Sequence, residues 1–201
     1  MGKGLRRDAA RNRTRILGAA ADAFAARGRN ASMEDIARLA GVAPATLYRR
    51  FPSKDALVTE LVSVFYEELV ALAEEASLLP PAEGLDRLLR TVGHRIASAR
   101  GYLPLAWGEL ADRAQVDHLR AMTARLLDAA QAAGAVDPRV TVSDIATVVW
   151  AVRGIIETAG EVAPDAWQRH LDFVAAGLRR GPERFSAPAL GIGSVDRITG
   201  P

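Results

Sequence analysis

Residues Ser32 to Phe51 read SMEDIARLAGVAPATLYRRF, and this stretch decides the fold. Ser32 is an N-cap residue with Asp35 three positions on, the spacing of a capping box. Ile36 and Leu39 then supply the apolar side of a short helix that stops at Ala40-Gly41. Glycine at 41 suits the left-handed turn a sharp change of direction needs, because it has no Cβ to clash. Ala37 is small enough to let a second helix approach, and Val42 and Leu47 point back into the same small core. Pro44 stands where a first-turn proline loses no hydrogen bond. The outer side of the second helix is left with Pro44, Ala45, Thr46, Arg49 and Arg50, with Tyr48 beside them. A plain helical hairpin shares the apolar spacing. It does not call for the glycine turn and the basic outer face, so the stretch reads as a helix-turn-helix.

Charge is distributed to match. The 201 residues carry a net charge of +2, yet residues 1–60 hold twelve Lys/Arg and six Asp/Glu, and the remainder fourteen and eighteen. A basic head on an acidic body is the footprint of a protein that presents one end to nucleic acid. Hydrophobic content of 49% with only 5% aromatic, rich in Ala, Leu and Arg, favours helix over sheet. Cysteine is absent, which excludes disulfides and thiolate metal or redox sites. No apolar run approaches the ~20 residues of a membrane span, and MGKGLRR lacks the apolar core of a signal peptide. The expected class is a soluble cytoplasmic protein, all-α, with no cofactor, no metal and no membrane partner.

Working outward, residues 1–9 predict a mobile basic arm, with Arg6, Arg7, Arg11, Arg13 and Arg15 available to phosphates. A first helix is predicted from about Ala10 to Ala26, with Ile16, Ala19, Ala20, Ala23 and Phe24 as its stripe and Gly28 at its end. Ser53 is placed to cap a helix from Lys54 that ends before Pro80-Pro81 and bears Leu57, Leu61, Val64, Phe65, Leu69 and Leu72. Further helical segments are predicted over 82–99, around 103–111, over 115–133, over 141–159 and from Pro164 to about Arg180, about nine helices in all. No segment carries the alternation of a strand. Helix 141–159 is apolar over more than one stripe, and the last presents Phe173, Ala176 and Gly177 apart from its Trp167 face. Two such helices from each of two subunits suit a four-helix seam. Residues 182–201, rich in Gly, Pro and Ser, predict a flexible tail.

The run RTRILGAAADAFAARGRNASMEDIARLAGVAPATLYRRFPSKDAL, above all IARLAGV, ATLYRRF and PSKDAL, resembles the N-terminal domain of the TetR family of bacterial transcriptional regulators. The resemblance covers about residues 11–62. Within 125–180, LLDAAQAAGAVDP and WQRHLDFVAAGLRRG resemble one C-terminal subgroup of that family more weakly.

The resemblance implies a DNA-reading domain over 8–53, a regulatory and dimerisation domain over 54–181, and a homodimer on double-stranded operator DNA. It implies phosphate contacts from Tyr48 and Lys54, base contacts from Pro44, Ala45, Thr46 and Arg49, and phosphate contact from Arg50. Ser32 and Met33, opening the preceding helix, are expected to reach the DNA backbone. Glu34 occupies a position that sometimes reads a base, although a first-turn acid complementing the helix dipole accounts for it as well. Ala45 departs from the glycine common at that place.

A repressor released by a small-molecule effector is the functional expectation. Effector contacts are sought at Phe65, His94, Trp107, Met122, Trp150, Arg153 and Glu157. The aromatic and Met positions also read as plain core, and Arg153 with Glu157 as an i,i+4 salt bridge. His94, His118 and His170 have no metal-ligand spacing. A constitutive DNA-binding dimer and a helical interaction protein that does not bind DNA are the alternatives. No phosphate-binding glycine loop, nucleophile elbow or Glu-x-x-His pair supports an enzyme.

Overall fold

The computed structural model describes residues 2–99, 102 and 111–199, and the side chains within that set except those of 2–9, 29 and 199. The described residues form nine α-helices and no strand. These are α1 (Gly2–Arg27), α2 (Met33–Leu39), α3 (Pro44–Arg50), α4 (Lys54–Ser77), α5 (Pro81–Ser98), α6 (Arg113–Ala132), α7 (Val142–Ala159), α8 (Ala166–Arg180) and α9 (Ile192–Thr199). A 3-10 turn at Gly28–Asn30 follows α1. The chain divides into two compact units, and the division falls inside α4 between Val64 and Phe65.

The first unit holds α1 to α3 and the start of α4. Ile16, Ala20 and Phe24 of α1 meet a core completed by Ile36 and Ala37 of α2, Leu47 of α3 and Leu57 and Val62 of α4, all shut off from solvent. Burying each of the larger side chains contributes roughly 1.5–3 kcal/mol. Two ion pairs tie the helices. Arg13 of α1 donates to Glu60 of α4 at 2.6 Å. Asp35 of α2 receives Arg27 from the end of α1 at 2.6 Å and Arg38 at 2.8 Å.

In the second unit α5 is central, and α6, α7 and α8 all pack on it. Its amphipathic pattern puts Leu85, Leu88, Leu89, Val92 and Ile96 inside. Close approach is set by Gly93, where a Cβ would lie 2.2 Å from the buried ring of Trp167 on α8. Thr141 and Asp144 form a complete capping box at the start of α7, and the Asp112 side chain accepts the Ala114 amide at 2.8 Å to cap α6. The connector between α6 and α7 is pinned by Gln131, whose Nε2 donates to Asp137 O at 3.0 Å and Val140 O at 2.9 Å.

Three expectations are corrected. The arm expected over residues 1–9 is helical from Gly2 onward, as the first turns of α1. Leu39 does not join the core of the turn motif; it is 53% exposed. The tail is not flexible throughout, since 192–199 form α9, with Val195 buried and Asp196 in two ion pairs. The helix expected around 103–111 falls, but for Ala111, outside the described residues, as do the side chains of Arg6 and Arg7.

Candidate nucleic-acid interface

The turn between α2 and α3 has the backbone its sequence calls for. Gly41 sits at φ +62°, in the left-handed region. Its N–H reaches Arg38 O, and that of Val42 reaches Ala37 O, closing the end of α2. Ala43 serves as N-cap without a side-chain bond, and Pro44 occupies the first turn of α3. Leu47 alone of α3 is buried. That anchor turns Pro44, Ala45, Tyr48, Arg49 and Arg50 to solvent, with Thr46 half-buried. Neither Arg49 nor Arg50 has an ion pair or side-chain hydrogen bond among the described residues. Their guanidinium forks are therefore available to planar acceptors such as a guanine edge or a phosphate.

The start of α2 is capped as its sequence calls for. Ser32 is the N-cap: its Oγ accepts the Asp35 amide at 3.0 Å and donates to Asp35 Oδ2 at 3.0 Å. Met33 is buried, so the expectation that it reaches DNA cannot rest on its thioether; only its backbone N–H, one of the unpaired amides at a helix start, is left for an anion. At the start of α4, Ser53 Oγ accepts the Ala56 amide at 3.1 Å, and Lys54 stands half-buried in the first turn.

Sequence reasoning missed one partner. Glu34, exposed on α2, accepts a hydrogen bond from Tyr48 Oη at 3.0 Å. That bond raises the Tyr48 hydroxyl above its usual pKa and fixes an aromatic ring that is 42% exposed. The signal was present in residue type, an acid and a phenol on adjoining helices of the motif, but the pairing depends on the angle between α2 and α3. Asp35, by contrast, is held down to about 2, through its hydrogen bond from Arg38 first and that from Ser32 second.

Residues 16–61 match the bacterial regulatory proteins of the tetR family, and 80–180 match the C-terminal domain of SbtR-like transcriptional regulators. A TetR transcription regulatory protein from Mycobacterium vanbaalenii is similar at 32% identity and a TM-score of 0.67, covering 87% of this chain and 99% of its own. The chain belongs to the TetR family of transcriptional regulators. A TetR regulator from Streptomyces coelicolor is similar at 30% identity and a TM-score of 0.64, over 85% of this chain and 99% of its own. A third solved structure, described as the molecular basis for control of antibiotic production by bacterial hormones, shares 25% identity at a TM-score of 0.68, over 84% and 97%. No curated protein matches the chain.

The TetR fold makes this a DNA-binding regulator of transcription, and the family and fold are those of proteins that are not enzymes. No described helix is long and apolar enough to cross a membrane, and no cluster of metal-ligating side chains occurs among the described residues.

Within the TetR C-terminal domain the effector candidates are scattered. Phe65 is buried, edge-on to Tyr66 and covered by the Arg95 guanidinium at 5.1 Å; Arg95 also pairs with Glu68. His94 is exposed and meets Trp167 edge to face at 4.8 Å. Met122 on α6 and Trp150 and Arg153 on α7 are half-buried, and Glu157 is exposed. Arg153 Nε donates to Glu157 Oε1 at 2.6 Å, the i,i+4 pair read as one alternative from the sequence. Trp107 lies outside the described residues.

Proposed function

We propose that this TetR-family protein is a homodimeric repressor that binds a pseudo-palindromic operator and is released from it by a small, largely apolar molecule. The observation that carries the DNA-reading half is the outer face of α3, where an anchored tyrosine is followed by two arginines with no ion pair or side-chain hydrogen bond among the described residues, on a helix held by a single buried leucine. Pro44, Ala45, Thr46 and Arg49 face base edges, Arg49 being the bidentate reader. Tyr48, Arg50 and Lys54 hold phosphates, and the helix start at Ser32 and Met33 adds backbone amides to the sugar-phosphate chain. Functionally, residues 8–53 read DNA and 54–181 regulate and dimerise; the protein acts where the chromosome is, in the cytoplasm.

Dimerisation is supported by the outward faces of α7 and α8. Ala151, Gly154 and Thr158 of α7, and Phe173, Ala176 and Gly177 of α8, are exposed, an unpartnered run of small and apolar side chains of the kind that lets helices of two subunits approach closely. The effector half is supported by Met122 and Trp150, half-buried on α6 and α7, and by the hormone control described for one relative. A ligand shifts the equilibrium only by its preference between the two forms; a hundredfold preference is about 2.7 kcal/mol.

The test is a gel shift on promoter DNA beside the protein's own gene, at two salt concentrations. Retardation that weakens linearly in log salt, and is reversed by one of a panel of apolar compounds, is expected. Binding that no compound alters leaves a constitutive DNA-binding dimer.

A further inference from the structure

We propose that residues 181–199 form a latch, closed in this structure, that holds the first two turns of α6 against the body and frees them when it opens. The matched family region ends at residue 180, so this segment is an addition beyond it.

Its path is built. Gly181 takes φ +61°, and a Cβ there would lie 1.9 Å from Asp137 Oδ2, so the chain leaves α8 over a buried acid in a conformation reserved for glycine. Asp137 holds Arg139 through Oδ1 and Oδ2 at 3.0 and 2.7 Å. Arg139 in turn donates to Pro182 O at 2.8 Å and stacks over the Phe185 ring at 5.3 Å. One guanidinium thus fixes the first stretch of the segment.

Its far end is clamped by charge. Arg113, Asp117 and Arg120 lie four and three residues apart on one face of α6, and Asp117 pairs with both arginines at 3.0 and 3.1 Å. Two cations and one anion leave a positive charge, which Asp196 of α9 meets by accepting Arg113 Nη2 at 3.0 Å and Arg120 Nη2 at 2.6 Å. Those bonds, Arg113 first and Arg120 after it, lower the pKa of Asp196, while Arg113 is raised by its bond to Asp117 first and to Asp196 second. Val195, 4% exposed, is the one buried apolar side chain of α9, while Ile192 and Ile198 remain 44% and 57% exposed.

Reversibility follows from size. A helix of eight residues is shorter than the ~12–15 that are even marginally stable alone in water. α9 is therefore helical only while docked, held by buried Val195, by the Asp196 carboxylate and by its packing on α7. If the body binds an effector as proposed above, α6 carries Met122, and the latch sets how readily that wall moves; the latch itself does not depend on that reading.

Hydrogen exchange on the full chain, without DNA or effector, tests it. Asp196→Asn is expected to speed exchange about tenfold or more in both α9 and 113–120, leaving α1 to α3 unchanged, with Asp196→Glu retaining much of the protection. Salt near 1 M should act in the same direction on the wild type, because the clamp is half-exposed and screened. Faster exchange in α9 alone would make the segment a passive cap and overturn the latch, as would no change in either. If the latch stands and no effector is found, the latch survives and the effector reading fails.

Discussion

Arg49 and Tyr48 are neighbours on α3, yet they should fail in different ways. An arginine with no ion pair or side-chain hydrogen bond among the described residues, on the outward face of α3, gives sequence preference when its fork meets a guanine edge. Arg49→Ala should cost about 1–3 kcal/mol on the best operator and relax choice at one base pair. Tyr48→Phe should weaken operator and scrambled duplex alike. Competition binding against a randomised half-site distinguishes the two, and an unchanged site preference in Arg49→Ala would move the reading role to Arg50. Glu34 bears on the same contacts. Its carboxylate is 3.0 Å from the hydroxyl of Tyr48, so a phosphate bound by that hydroxyl comes within a few ångströms of a like charge. Such repulsion is worth about 1 kcal/mol at 4 Å in water. Glu34→Gln keeps an acceptor for Tyr48 and removes the charge; tighter anisotropy titrations on every duplex are expected. A loss confined to the operator would instead make Glu34 a reader of cytosine.

At the scale of elements, what the sequence made legible was local and what it hid was relational. Ser32, Gly41, Pro44 and Ser53 each mark a cap or turn by their own chemistry, and each does that work here. Leu39 lies outside the core because a helix of seven residues has two sides, and only the angle to α1 decides which is covered. The pairing of Gly93 with Trp167 joins residues 74 apart in the chain and has no local signature. Gly93→Ala puts a methyl into a ring that cannot swing away, and overpacking costs about 1–3 kcal/mol. The gain from removing a helical glycine, about 0.5–1 kcal/mol, is smaller, so a lower melting temperature by calorimetry is expected. Acid should loosen both units. Asp35, which ties α1 to α2, and Asp137, which is held down by the Arg139 guanidinium, both titrate at about 2 in the fold against an ordinary 3.8. A depressed carboxylate stabilises the fold above its unfolded pKa, and that stability is lost as pH falls from about 4 to about 2. Thermal melts by circular dichroism should fall across that window, and less steeply in Asp35→Asn.

On the scale of the whole molecule, Gly154 and Gly177 have no packing reason among the described residues. Gly154 on α7 and Gly177 on α8 are exposed, have ordinary helical backbones, and a Cβ on either would meet nothing within 4 Å. Each weakens its helix by about 0.5–1 kcal/mol relative to alanine. Phe173, 66% exposed under the guanidinium of Arg169 at 5.3 Å, lies a turn from Gly177. Small residues that cost a helix stability without serving its own core are explained if a second copy packs there, its backbone close enough to exclude a side chain. The double change Gly154→Leu and Gly177→Leu separates the two accounts. For a chain acting alone, both leucines point into water, the helices gain propensity, and the melting temperature rises slightly. In the dimer they collide with the partner helices. Light scattering should then report a monomer at micromolar concentration. Operator affinity should fall by orders of magnitude, because the second half-site is no longer bound by a tethered head. Circular dichroism should stay that of the wild type. A variant that remains dimeric and binds operator normally would place the seam on another face.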